Sequence, residues 1–189
     1  MAKAREEMDR LISEILNPPP EIGENQLFNR NYKLAHENLL PLVAEAPLVY
    51  FDLLKDYCRR GKIPTDLSKG SAGFFPLTVA VQGMPQWRVK QLAQMLEWPE
   101  VYGRYDFSVL APLIDRVAEI QNIDAIPHLR KCADLIKVSA HAADTDGRLR
   151  PRVKWMVAKI RKAIIGCNGL KKKAVDAMPE AFLWQSAGR

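Results

Sequence analysis

Phe74-Phe75-Pro76-Leu77-Thr78-Val79-Ala80-Val81 (residues 74–81) is the stretch on which the fold class turns. Its aromatic and β-branched residues follow Gly70 and Gly73, end at Gly83, and suit a short strand. The same composition suits a buried helix too apolar to show a period, and periodicity alone does not separate the two. No partner strand is evident nearby, which favours helix.

On either side of this stretch the pattern is helical. Proline followed by leucine and a further apolar residue recurs as Pro41-Leu42-Val43, Pro47-Leu48-Val49, Pro76-Leu77-Thr78-Val79 and Pro112-Leu113-Ile114, with Pro127-His128-Leu129 a looser version. Proline suits the first turn of a helix, where its missing N–H costs nothing and its φ is already helical. Helices are therefore expected near 31–45, 47–60, 85–98, 106–121, 125–141 and 151–165. The irregular proline spacing excludes a clean short repeat. The expected architecture is all-α: an irregular multi-helix stack or bundle with an N-terminal helical arm and at most one short strand.

Residues 5–16 place Met8, Leu11, Ile12, Ile15 and Leu16 on one helical face, and Asn17-Pro18-Pro19-Pro20 ends that helix. Residues 17–29 show no period. The expected division is thus 1–29, an amphipathic helix with a proline-rich linker, and 30–189, a helical domain closing on a basic helix-GxxG-helix element. The first helix is an arm expected to dock on a protein partner or on the body of the chain.

Apolar residues make up 48% of the 189, enough for a sizeable core. No apolar run approaches the roughly 20 residues a membrane span needs. MAKAREEMDRLISEIL mixes acids with bases and lacks the apolar core of a secretory signal. Cys58, Cys132 and Cys167 are widely spaced, without C-x-x-C, and read as thiols in a reducing compartment. A cytoplasmic protein without a membrane partner is expected.

Charge is distributed unevenly. Arg148, Arg150, Arg152, Lys154, Lys159, Arg161, Lys162, Lys171, Lys172 and Lys173 fall in one stretch with no acid among them. Taking those ten charges from the formal +6 leaves the rest of the chain at −4. A mildly acidic body carries one basic element, and that element is where a polyanion would sit.

At 100° per residue, Leu149, Val153, Met156, Val157, Ile160 and Ile164 gather on one side of a helix through this element. Arg148, Arg152, Lys159 and Lys162 gather on another, with Trp155 among them. The helix's own core does not explain that tryptophan. It is expected either beneath a further segment, such as the tail carrying Phe182 and Trp184, or as an aromatic platform for a base beside cations that neutralise phosphate. A protein-interface anchor is the third option.

Ile164-Ile165-Gly166-Cys167-Asn168-Gly169-Leu170-Lys171-Lys172-Lys173-Ala174-Val175 follows. Helix, Gly-x-x-Gly and a lysine-led second helix would let a phosphate approach the backbone at Gly166 and Gly169 beside Lys171, Lys172 and Lys173. A glycine C-cap followed by a solvated lysine run explains the same residues. The segment resembles the Gly-x-x-Gly clamp of K-homology RNA-binding domains and the glycine hairpin of helix-hairpin-helix DNA-binding modules. Residues 88–122 resemble in part the winged-helix segment of plasmid replication initiators. However, Asp115 and Glu119 would repel phosphate there, and residues 125–140 read as helix where a β-wing should stand. The chain is not assigned to that family.

No enzyme is expected. The chain lacks a nucleotide-binding glycine loop ending in Gly-Lys-Ser/Thr, a G-x-S-x-G elbow and zinc-spaced His/Cys. His36, His128 and His141 are far apart and read as surface or satisfied core residues. Asp144-Thr145-Asp146-Gly147 begins like a calcium loop, but its twelfth position is Trp155 where glutamate is required. No metal or cofactor is expected. The expected function is nucleic-acid binding, to RNA or DNA, mainly through phosphate contacts and within a larger nucleoprotein assembly. The alternative is a helical adaptor whose basic helix docks on an acidic protein.

Overall fold

Residues 74–83 form a helix, and its surroundings explain why no period was visible. The computed structural model describes residues 2–64, 74–103, 107–139, 142, 147 and 150–169. Every residue from Phe75 to Val81 is buried. A helix covered on all sides has no polar face to display. Two polar groups are satisfied internally: Thr78 Oγ1 donates to the Phe74 carbonyl (2.7 Å), and the buried Tyr50 hydroxyl donates to the Pro76 carbonyl (2.7 Å).

The chain divides into two units, residues 1–87 and 88–189. The first contains α1 (Ala2–Leu16), α2 (Glu24–Lys33), α3 (Leu40–Glu45), α4 (Pro47–Arg59) and α5 (Phe74–Gly83). Leu34–Leu39 joins α2 to α3 as a π-helical turn, with the Leu40 N–H reaching Ala35. Its position just before Pro41 has a physical reason. Proline in a continuous α-helix strikes the carbonyl four residues back, and a widened turn relieves that contact.

α5 packs on α3, α4 and the π turn. Close approach explains Gly83, where a Cβ would stand 2.9 Å from Val43 Cγ1. The remaining prolines of the recurrent pattern also lie in first turns: Pro47 opens α4, and Pro76 is the third residue of α5.

The apolar face of α1 lies inside this unit: Met8, Leu11, Ile12 and Ile15 are all buried. Carbonyls near its C-terminus are capped from α2, by Arg30 on Glu14 O (3.0 Å) and the buried Asn31 on Ile15 O (3.4 Å). Of the two docking options for residues 5–16, the body of the chain is the one seen. The face expected to meet a protein partner is occupied. Residues 24–29, read as linker, begin α2; the stretch carries no apolar stripe because Phe28 is exposed and Leu27 only half-buried.

The second unit holds α6 (Val89–Met95), α7 (Pro99–Tyr102), α8 (Leu110–Ile120), α9 (Ile126–Lys137) and α10 (Pro151–Cys167). Pro112, Pro127 and Pro151 sit in the first turns of α8, α9 and α10. α10 packs against both α8 and α9, and α6 against the same two. The expected core is buried throughout: Leu92, Leu96, Leu110, Leu113, Ile114, Val117, Val153, Val157 and Ile160. Glu97 ties the end of α6 to α9 through His128 Nδ1 (2.6 Å) and Lys131. α9 stands where a winged helix would carry its wing, and no strand occurs among the described residues.

Candidate nucleic-acid interface

α10 starts at Pro151, with Arg150 extended at the N-cap, and runs without an acid to Cys167. Its inward side is Val153, Met156, Val157, Ile160, Ala163, Ile164, Ile165 and Cys167, all buried. The expected phase of the helix is therefore the observed one, apart from Leu149, which lies outside the described residues.

Arg152, Lys154 and Trp155 are exposed on the opposite side of its first turns. Trp155 keeps 54% of its surface accessible, which is high for a tryptophan. Arg152 stands one turn before it, Lys159 one turn after and Lys162 two turns after. Lys159 Nζ lies 5.7 Å from the Trp155 ring centroid, within cation–π range.

Lys159 and Lys162 are less open than expected. Lys162 is half-buried. The Lys159 side chain is only 22% exposed because its ammonium reaches across to α8 and pairs with Asp115. Lys162 and Lys154 have no ion pair among the described residues. Arg161 is half-buried, and burial lowers its pKa.

The two glycines play different parts. Gly166 is helical, lying within α10, and a Cβ there would meet nothing within 4 Å. Gly169 has φ +89°, a left-handed conformation that favours glycine, and its N–H donates to the Gly166 carbonyl (3.0 Å). They do not flank a loop; one ends the helix that contains the other. Arg148, Lys171, Lys172 and Lys173 lie outside the described residues, as do His141, Phe182 and Trp184.

Two residues of this surface stand outside the basic stripe read from sequence. Asp115 was noted only as an obstacle to phosphate on α8, and nothing in linear sequence links it to Lys159, 44 positions away. Lys154, one of the ten basic residues, lies roughly 80° outside the stripe on the wheel, yet it is exposed next to Trp155. His36 packs its ring 4.3 Å from that of Tyr32, and His128 is engaged by Glu97. Among the described residues no group of three or more His, Cys, Asp or Glu could hold a metal ion. No helix there is long and apolar enough to cross a membrane.

Compared with known proteins, the chain matches no family model, no curated protein and no solved structure.

Proposed function

We propose that this chain binds nucleic acid through the solvent face of α10, as a binding protein rather than an enzyme, and as one component of a larger nucleoprotein assembly. Arg152, Lys154, Lys159 and Lys162 would contact phosphates, joined by Arg148 and Lys171–Lys173 from the flanking segments, and Trp155 would stack on a base. The left-handed turn at Gly169 would carry the chain from α10 towards those lysines. Binding of this kind is electrostatic and weakly dependent on sequence.

The observation that carries the reading is the exposure of Trp155 on a helix with cations before and after it and no acid of its own. A buried tryptophan would have been accounted for by packing. An adaptor role has one observation in its favour: Asp115 already occupies Lys159, so the face accepts a carboxylate. Titration against single-stranded and duplex nucleic acid at two salt concentrations separates the readings. Affinity that falls with salt supports nucleic-acid binding; no measurable affinity at low salt contradicts it.

A further inference from the structure

The first unit contains a polar cleft that the reading of α10 does not use. At the end of α4 the chain reverses through Gly61, whose φ of +64° is left-handed. The Gly61 N–H donates to Cys58 O (2.8 Å) and the Lys62 N–H to Tyr57 O (3.0 Å), the paired bonds of a Schellman turn. This turn folds Lys62 back along the helix, so that its ammonium lies 5.4 Å from the Tyr57 ring centroid. The Tyr57 hydroxyl in turn donates to Asp9 Oδ1 on α1 (2.9 Å).

Between α1 and α4 these residues enclose about 470 Å³, within the range of small-molecule sites. Sorting the charges on its walls shows which remain uncommitted. Asp9 accepts the Tyr57 hydroxyl, and Asp56 is paired with Arg5 and Arg59, each at 3.6 Å. Arg60 and Lys62 have no carboxylate at ion-pair distance among the described residues, and neither has Glu6 a cation. Among the described residues the walls therefore divide by sign: two unpaired cations, Arg60 and Lys62, stand at the end of α4, and two carboxylates without a cation, Glu6 and Asp9, stand on α1. Burial first, and then the bond to Asp9, push the Tyr57 phenol up to about 12, so it adds no negative charge at neutral pH.

We propose that this cleft binds a small phosphorylated polyol, its phosphate held between Arg60 and Lys62 and its hydroxyl donors facing the carboxylates Glu6 and Asp9. Guanidinium supplies a planar fork for phosphate oxygens, and ammonium supplies a compact charge opposite it. Leu53 and the Tyr57 ring give the remainder of the ligand an apolar floor.

The test is a titration of the full ¹⁵N-labelled chain with ribose 5-phosphate, and separately with inorganic phosphate, at ionic strength held constant with sodium chloride. Saturable shifts of the amides around residues 9, 57 and 60–62 are expected, tighter for the sugar phosphate than for phosphate alone. R60Q/K62Q should weaken binding at least tenfold. Gly61→Ala, which keeps both charges but strains the turn that aims Lys62, should weaken it as well. K154Q/K162Q, on α10, should bind as wild type does, which separates this site from the nucleic-acid reading. Shifts that grow linearly without saturating, or saturable binding that persists in R60Q/K62Q, would overturn the proposal.

Discussion

Lys159 serves two partners at once: its ammonium pairs with Asp115 of α8 and lies 5.7 Å from the centroid of the Trp155 ring. One carboxylate from a neighbouring helix therefore partly neutralises the centre of the proposed interface. Asp115 is itself 59% exposed, so the pair sits at the surface and contributes little to stability. Its effect falls on binding. Asp115→Asn should tighten nucleic-acid binding and steepen its salt dependence, by roughly 0.9 in log–log slope on duplex if Lys159 gains one phosphate contact. An unchanged slope in this variant would show that Lys159 never reaches the polyanion.

Trp155→Ala should separate stacking from charge. Loss of a stacked base costs on the order of 1–3 kcal/mol on single strands and leaves the slope where it was, because counterion release follows charge and not aromatic area. The variant's denaturation midpoint should match wild type, since the side chain is largely in solvent. A large fall in stability with normal affinity would instead make Trp155 a packing residue.

Leu113→Ala tests the core under the same helix. Leu113 is fully buried on α8, against which α10 packs, and its truncation should cost roughly 2–5 kcal/mol in chemical denaturation. A cost below about 0.5 kcal/mol, the range of surface substitutions, would mean that α8 is not held as described.

Acid should loosen the junction of α6 and α9. Burial alone would raise the pKa of Glu97, but the hydrogen bonds from Lys131 and His128, with their charges, outweigh it and hold the carboxyl below its ordinary 4.5. A carboxyl depressed in the folded state stabilises above its unfolded pKa, and that contribution is lost as pH falls through the lowered folded value. Glu97→Gln should therefore be less stable than wild type at pH 7, and the gap should close as pH falls from the ordinary 4.5 through the lowered folded value. Parallel stability curves across that range would rule the linkage out.

Thiol reactivity reports the same packing. Burial, with a smaller contribution from nearby Glu97, pushes the Cys132 thiol up to about 12, and burial raises that of Cys167 as well. Iodoacetamide at pH 8 should modify half-buried Cys58 first and leave Cys132 until the protein unfolds, as read by mass spectrometry of peptides. Early labelling of Cys132 would contradict its burial.

The helices were legible because proline in a first turn and a 3.6-residue apolar stripe both act locally. Pro47, Pro112, Pro127 and Pro151 mark true starts for that reason. Phe74–Val81 was ambiguous because full burial removes the contrast on which periodicity depends, and its surroundings are set by α3 and α4. The start of α2 was missed because Glu24–Asn29 has no inward stripe of its own, while the helix it opens continues through the π turn to Glu45. At the site, the phase of α10 and the outward tryptophan could be read from one helix. The hold of Asp115 on Lys159 could not, because it arises only when α8 packs against α10.

The most direct test of the central claim is the salt dependence of duplex affinity for wild type and for R152Q/K154Q/K162Q, which alters only the outward side of α10. The account predicts weaker binding to every sequence tried, with the log–log slope reduced by roughly 0.9 for each phosphate contact removed. Equal affinity and equal slope in the two proteins would contradict it.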